Sequence, residues 1–351
     1  MSTGTRTPAA RRTLVLSLIA VLLVGGVLAS FALGQLPISP AQLVGSVLRA
    51  VGVDNAWAPT DPLIEGTIWQ VRLPRLALSV LVGALLSVAG VVMQAVFGNP
   101  LAEPGIVGVS SGAALGAAAA IAFGAAALGG WTVAAAAFVG GFLATLLVYA
   151  TARSRGRTEV VTLLLTGIAV NAFASAGLAL ILFASHSASR EQIVFWQLGS
   201  LNGSRWSDVL VVVAIGAPAT AVALRLARRY DLLALGERTA AHLGVRVERL
   251  RVVSIVVVAL VTGVAVAFAG IIAFVGLVVP HLIRMLLGPS HGTLLVGSVL
   301  GGAALLVWAD LVARTAIPGS DLPIGMLTSI IGGPFFFWLI RRNRAKAGGW
   351  A

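Results

Sequence analysis

RVVSIVVVALVTGVAVAFAGIIAFVGLVVPHLIR, Arg251 to Arg284, carries no charge between its terminal arginines. A helix rising about 1.5 Å per residue crosses roughly 30 Å of hydrocarbon with about 20 apolar residues, so this stretch is too long for one span. Gly270, Gly276 and Pro280 offer places to turn. The stretch reads as two spans. Working outward, similar runs occupy Leu14 to Leu33, Leu76 to Phe97, Gly105 to Phe123, Trp131 to Ala150, Val160 to Phe183, Val209 to Leu224, Thr293 to Val312 and Ile324 to Ile340. The total is ten.

Charge checks that count, because basic residues favour the cytoplasmic side of a membrane. With the amino terminus inside, that side carries Arg6, Arg11 and Arg12; Arg153, Arg155 and Arg157; Arg225, Arg228, Arg229, Arg238, Arg246, Arg249 and Arg251; Arg284; and Arg341, Arg342, Arg344 and Lys346, which is 18 of the 24 basic residues. Arg49, Arg72, Arg75, Arg190, Arg205 and Arg314 fall outside. A single span over Val252 to Leu287 would move the carboxy-terminal cluster to the wrong side. Ten spans with both ends cytoplasmic satisfy the bias.

Composition excludes most other classes. The 351 residues are 58% hydrophobic and 10% charged, against about 45–50% and about 25% in soluble domains. The net charge of +12 has its explanation in topology rather than in nucleic-acid binding. Alternating strands of a barrel are missing, and with no cysteine there is neither disulfide nor thiol chemistry. Leu14 to Leu33 is too long for a signal-peptide core and reads as a helix. The expected fold is therefore all-α: a single ten-helix transmembrane domain over residues 14–340, cytoplasmic tails at 1–13 and 341–351, and a cytoplasmic loop at 225–251.

Small residues recur at helical spacing. Gly83, Ser87, Gly90 and Gln94 share a face, as do Gly108, Gly112, Gly116 and Ala120, and Gly297 pairs with Gly301; close helix packing explains such stripes. Gln94 is a long amide on a packing face, so it either bonds across helices or lines a pathway. Asp310, the exception among acids that otherwise lie in loops, has Arg314 four residues on, as an i,i+4 pair. An ion-coupled secondary transporter needs more titratable groups in the bilayer, although that class stays as the alternative. His186, His242, His281 and His291 show no metal-ligand spacing. RLARRYDLLALGERTAAHLGVRVERLR, Arg225 to Arg251, mixes a short apolar surface with charges and two glycines, which predicts two short surface helices and a docking surface for a soluble partner.

Four blocks in order extend the reading: RLPRLALSVLVGALLSVAGVVMQAVFGNPLAEPGIVGVSSGAALG (Arg72 to Gly116), LLALGERTAAHLGV (Leu232 to Val245), FVGLVVPHLIRMLLGPSH (Phe274 to His291) and ADLVARTAIPGSDLPIGMLTSIIGGPFFFWLI (Ala309 to Ile340). With them the chain resembles, over nearly its whole length, the iron-chelate and cobalamin uptake permeases of type II ABC importers. The resemblance implies a bacterial inner-membrane homodimer, two ATP-binding cassette subunits that carry the ATP hydrolysis, and a periplasmic or lipid-anchored binding protein. It implies no cofactor, resident metal or catalytic residue. Arg72, Arg75 and Arg314 map onto arginines that meet glutamates of the binding protein. Asp231 to Val245 maps onto the ATPase-coupling helices, with Asp231, Leu235, Gly236, Glu237, Ala240 and Gly244 as contact and turn residues. Val160 and Val161 fall at the inner gate, without the polar gate residues of the cobalamin member, and Gln94 and Asn99 join them as pathway candidates. VFWQLGSLNGSRW (Val194 to Trp206) and GVSSGAALGA look most like heme permeases, which ranks heme before ferric siderophore and cobalamin. His186 is a solvated loop residue or a heme ligand.

Overall fold

A computed structural model describes residues 8–34, 36–154 and 157–346. Arg6 and Arg155 lie outside the described residues, as do the side chains of Arg157, Arg342, Arg344 and Lys346. The described chain is almost wholly helical: α1 (Pro8–Ala32), α2 (Pro40–Ala50), α3 (Pro62–Gly66), α4 (Leu73–Phe97), α5 (Val109–Ala122), α6 (Thr132–Ala152), α7 (Val160–Ala184), α8 (Ser187–Gln197), α9 (Trp206–Leu233), α10 (Glu237–His242), α11 (Val247–Ala269), α12 (Val275–Leu287), α13 (His291–Thr315) and α14 (Ile324–Lys346). Two-residue strands, β1 (Arg153–Ser154) and β2 (Arg157–Thr158), pair antiparallel just before α7. Among the described residues seven helices are long and apolar enough to cross a membrane, and α5, α12 and the Ile324–Trp338 part of α14 are shorter apolar helices. Each of the ten apolar runs falls on one of these. The chain is a polytopic all-α membrane protein.

α4, α11 and α13 form the centre. Over their apolar windows 78% of α4 and 72% of α11 is buried, against 17% of α1 and of α7. The small-residue stripes explain how the centre closes. A β-carbon added at Gly90 of α4 would overlap the carbonyl oxygen of Gly276 in α12, and one at Gly112 of α5 would stand 2.5 Å from the Gly140 carbonyl of α6. Backbones therefore touch where lipid offers no hydrophobic gain for association.

The turn inside the uncharged stretch is at Gly270 to Phe274; Gly276 and Pro280, expected as turning points, lie within α12. At 13 residues α12 is about 20 Å long, short of the hydrocarbon thickness. The irregular backbone that completes the crossing is bonded inside protein: Gly270 N–H donates to Val266 O at 2.9 Å, Ala273 O and Phe274 O accept from Val275 and Val278 N–H at 2.9 and 2.8 Å, and Ser200 N–H donates to Ala269 O just before it at 2.8 Å. Non-helical segments survive at membrane depth only where such partners exist. A second correction concerns residues 225–251, expected to form two short surface helices. α9 continues unbroken to Leu233 because Leu226, Ala227, Tyr230 and Leu233 are buried against the bundle, and only α10 is a separate short helix.

Candidate functional site

The two ends of the bundle differ. One, the basic face, carries α10, β1, β2 and the loop after α4; the opposite face carries α2, α3, α8 and the α13–α14 connection.

On the opposite face, Arg72, Arg75 and Arg314 come together around a pocket of about 470 Å³ that Asp310 and Asp321 also line. None of the three points freely outward. Arg72 and Arg314 are 8% and 9% exposed. Arg72 donates to Phe31 O and Leu36 O, while Arg314 Nη1 donates to Leu33 O at 2.9 Å and Nη2 to Ser30 O and Oγ at 2.5 and 2.6 Å. The last carbonyls of a helix lack N–H partners and carry the negative end of its dipole. Two guanidiniums thus cap the end of α1, and Gly34 makes room, since a β-carbon there would lie 2.8 Å from Arg72 Nη2 and 3.1 Å from Arg314 Nη1.

Arg75 has the other role. Its Nε donates to Asp310 Oδ1 at 2.9 Å and its Nη1 to Asp321 Oδ2 at 2.7 Å. The i,i+4 pairing of Asp310 with Arg314 is present as a longer contact of 3.6 Å. Arg75 is the nearer partner, 235 positions away in sequence, which helical spacing has no means of finding.

On the basic face, the coupling candidates spread over one short segment. Asp231, near the end of α9, accepts from the backbone N–H of His291 at 2.8 Å and lies 2.8 Å from His291 Nδ1, tying that segment to the start of α13. Leu235 is exposed and Ala240 is buried. Gly236 and Gly244 have φ of 102° and 85°, so both bracket α10 in backbone conformations that side chains resist. Glu237, the first residue of α10, reaches Arg251 of α11.

Arg251 had entered only as a topological charge, and Glu248, Thr158 and Tyr149 were not singled out; the structure gathers all four. Arg251 Nη1 donates to Thr158 O at 2.9 Å, Thr158 N–H donates to Glu248 Oε2 at 3.0 Å, the Thr158 hydroxyl donates to Glu248 Oε1, and the Tyr149 hydroxyl donates to the same oxygen at 3.1 Å. The legible signal was a Glu at 248 and an Arg at 251 on one face at i,i+3 spacing.

The pathway candidates separate. Gln94 is 3% exposed and bonds across helices, accepting from Arg284 Nη2 at 3.1 Å and donating to Leu277 O at 3.5 Å. Asn99 is exposed and caps its own turn, its Oδ1 accepting from Leu101 N–H at 2.9 Å. In the same loop, burial pushes the Glu103 carboxyl above its ordinary value. Val160 and Val161 open α7, with Val161 exposed, and His186 is exposed at the start of α8.

Known proteins share this architecture. A family model described as the FecCD transport family matches residues 21–342. The hemin transport system permease protein HmuU of Yersinia pestis is 41% identical over 286 residues, 80% of this chain and 85% of that protein. The cobalamin import system permease protein BtuC of Halobacterium salinarum is 44% identical over 288 residues, 82% and 76% of the two chains. A solved metal-chelate type ABC transporter in an inward-facing conformation superposes with a TM-score of 0.82 at 33% identity, covering 93% of this chain and 98% of its own.

Proposed function

The chain belongs to the FecCD transport family of ABC importer permeases, and from that premise we propose that its cargo is an iron chelate, heme before ferric siderophore, with the cobalt chelate cobalamin third. The supporting observation is α7. Its outward face, Val161, Leu165, Ile168, Phe173, Leu180 and Phe183, is exposed along the whole helix and apolar. In the homodimer a second copy of the chain faces it across the pathway, and an apolar wall suits the flat ring of heme, whose porphyrin nitrogens already hold the iron. Cobalamin, a larger metal macrocycle, is the alternative from outside the iron chelates, since relatives named for each are about equally similar. With its binding protein and ATPase present, the permease is expected to accumulate iron-labelled heme, with competition by excess heme and little by cyanocobalamin or a hydroxamate siderophore. Competition in the reverse order transfers the assignment to cobalamin. Uptake that follows a proton or sodium gradient without ATP overturns the importer reading.

In this reading the basic face and both termini are cytoplasmic, two separate ATPase subunits dock on Asp231 to Val245, and the binding protein docks at the mouth that Arg72, Arg75 and Arg314 surround. The chain has no cysteine, so single-cysteine probes report cleanly. Thr239→Cys, on the exposed surface of α10, should react with an impermeant maleimide only in inverted vesicles, and Ser187→Cys, on α8, only in intact cells. The opposite pattern reverses the orientation.

A further inference from the structure

Thr158 is gripped at all three of its polar groups. Its carbonyl is held by Arg251, and its N–H and hydroxyl are held by Glu248, whose carboxylate also accepts from Tyr149. The residue is 2% exposed and lies two positions before Val160, where α7 begins. Arg251 is 5% exposed, and its second arm donates to Glu237 on α10. The Glu237 side chain is 58% exposed, which makes it the part of this group that a partner subunit can reach. A guanidinium is a rigid plane, so a displacement of one arm is carried to the other. Bonds to a charged group are also the strong ones, and a buried guanidinium that lets go of one partner leaves a costly unmet donor.

We propose that Glu237, Arg251, Glu248 and Thr158 form the joint that carries movement of α10 to the start of α7, with Arg251 and Thr158 as positioning residues that touch neither cargo nor nucleotide. The path is short: an ATPase subunit shifts α10, Glu237 draws on Arg251, and Arg251 draws on the Thr158 carbonyl immediately ahead of α7. Ala240, fully buried on the bundle side of α10, keeps that helix seated so that motion is passed on rather than lost in rocking. The proposal rests on the importer reading above.

The test uses the complete transporter with its ATPase and binding protein in proteoliposomes, carrying a single cysteine as Val161→Cys. Two readouts are followed: cargo taken up per ATP hydrolysed, and the change in maleimide labelling of that cysteine between nucleotide-free and vanadate-trapped states. Arg251→Gln is expected to lower uptake per ATP roughly tenfold, as loss of a bond to a charged group implies, and to abolish the nucleotide-dependent change in labelling; Thr158→Val, which keeps the carbonyl that Arg251 holds and loses only the hydroxyl bond to Glu248, should lower both less. Arg251→Lys should restore part of both. A merely structural role would instead lower yield and thermal midpoint while the surviving transporters kept the parent ratio and labelling change, and that result overturns the proposal. Should Arg251→Gln fail to assemble, Glu237→Gln decides, read at saturating ATPase: it weakens the α10 end of the path at a largely exposed side chain and should lower the ratio and the labelling change, whereas parent values of both overturn the proposal. Failure of the importer reading shows separately, as parent protein without ATP-dependent uptake.

Discussion

Gly90→Leu is expected to leave no correctly folded permease in the membrane. The β-carbon alone would overlap the Gly276 carbonyl oxygen, and the obstacle is backbone in the centre of a spanning helix, with no flexible side chain to move aside. Overpacking a core usually costs about 1–3 kcal/mol. Here separation of α4 from α12 removes the contact that seats a helix of only 13 residues, so the cost exceeds that range. Gly25 supplies the control: it lies in α1 and a β-carbon there meets nothing within 4 Å. Monodisperse protein recovered in mild detergent, and its thermal midpoint, should collapse for Gly90→Leu and stay near the parent for Gly25→Leu. Equal behaviour of the two variants would show that the crossing does not need a glycine.

The Gly90 contact was half visible in the sequence. Periodicity placed Gly83, Gly90 and Gln94 on one packing face, and the structure puts backbone against that face. What periodicity lacks is the identity of the neighbour, because Gly276 is almost two hundred positions away and sat in the sequence as a candidate turn. The same limit applies to residues 225–251. Charge density there resembled a surface connector, yet Tyr230 is fully buried with its hydroxyl 2.9 Å from Ser254 Oγ, and that tertiary contact holds α9 helical well past the apolar run. Span number was legible because length and charge parity are local properties that sum along the chain. The bonding of Arg72, Arg75 and Arg314 was not, since an arginine that breaks the positive-inside bias looks the same in sequence whether it serves a partner, a helix end or a distant aspartate. Thr158 was silent for a related reason: it is not unusual until Arg251 and Glu248 are brought beside the strand before α7.

Arg75→Ala is expected to destabilise the permease strongly before any docking defect can be measured. Asp310 is 1% exposed, and Arg75 is its nearest cation at 2.9 Å. Removing Arg75 leaves the buried Asp310 carboxylate with only the longer Arg314 contact, at a cost approaching the about 3–5 kcal/mol of a broken buried pair. Arg314 gives little relief, standing 3.6 Å from Asp310 with its Nη atoms already spent on Ser30 and Leu33. Arg75→Glu should be worse, since it sets a third carboxylate beside Asp310 and Asp321. Arg75→Lys should fall between, because an ammonium lacks the fork that reaches both aspartates. The double variant Arg75→Met with Asp310→Leu should recover much of the lost thermal midpoint, as replacing a whole buried pair costs far less than halving it, and the non-additivity of the cycle measures the coupling. This ordering also sets the conditions for testing the docking role. Charge reversal at Arg75 confounds folding with binding, so affinity for the binding protein at low salt is best compared between the parent and the stable double variant. If Arg75→Ala instead keeps the parent midpoint and yield while affinity falls steeply, Arg75 acts across the interface and its bonds to Asp310 and Asp321 are incidental.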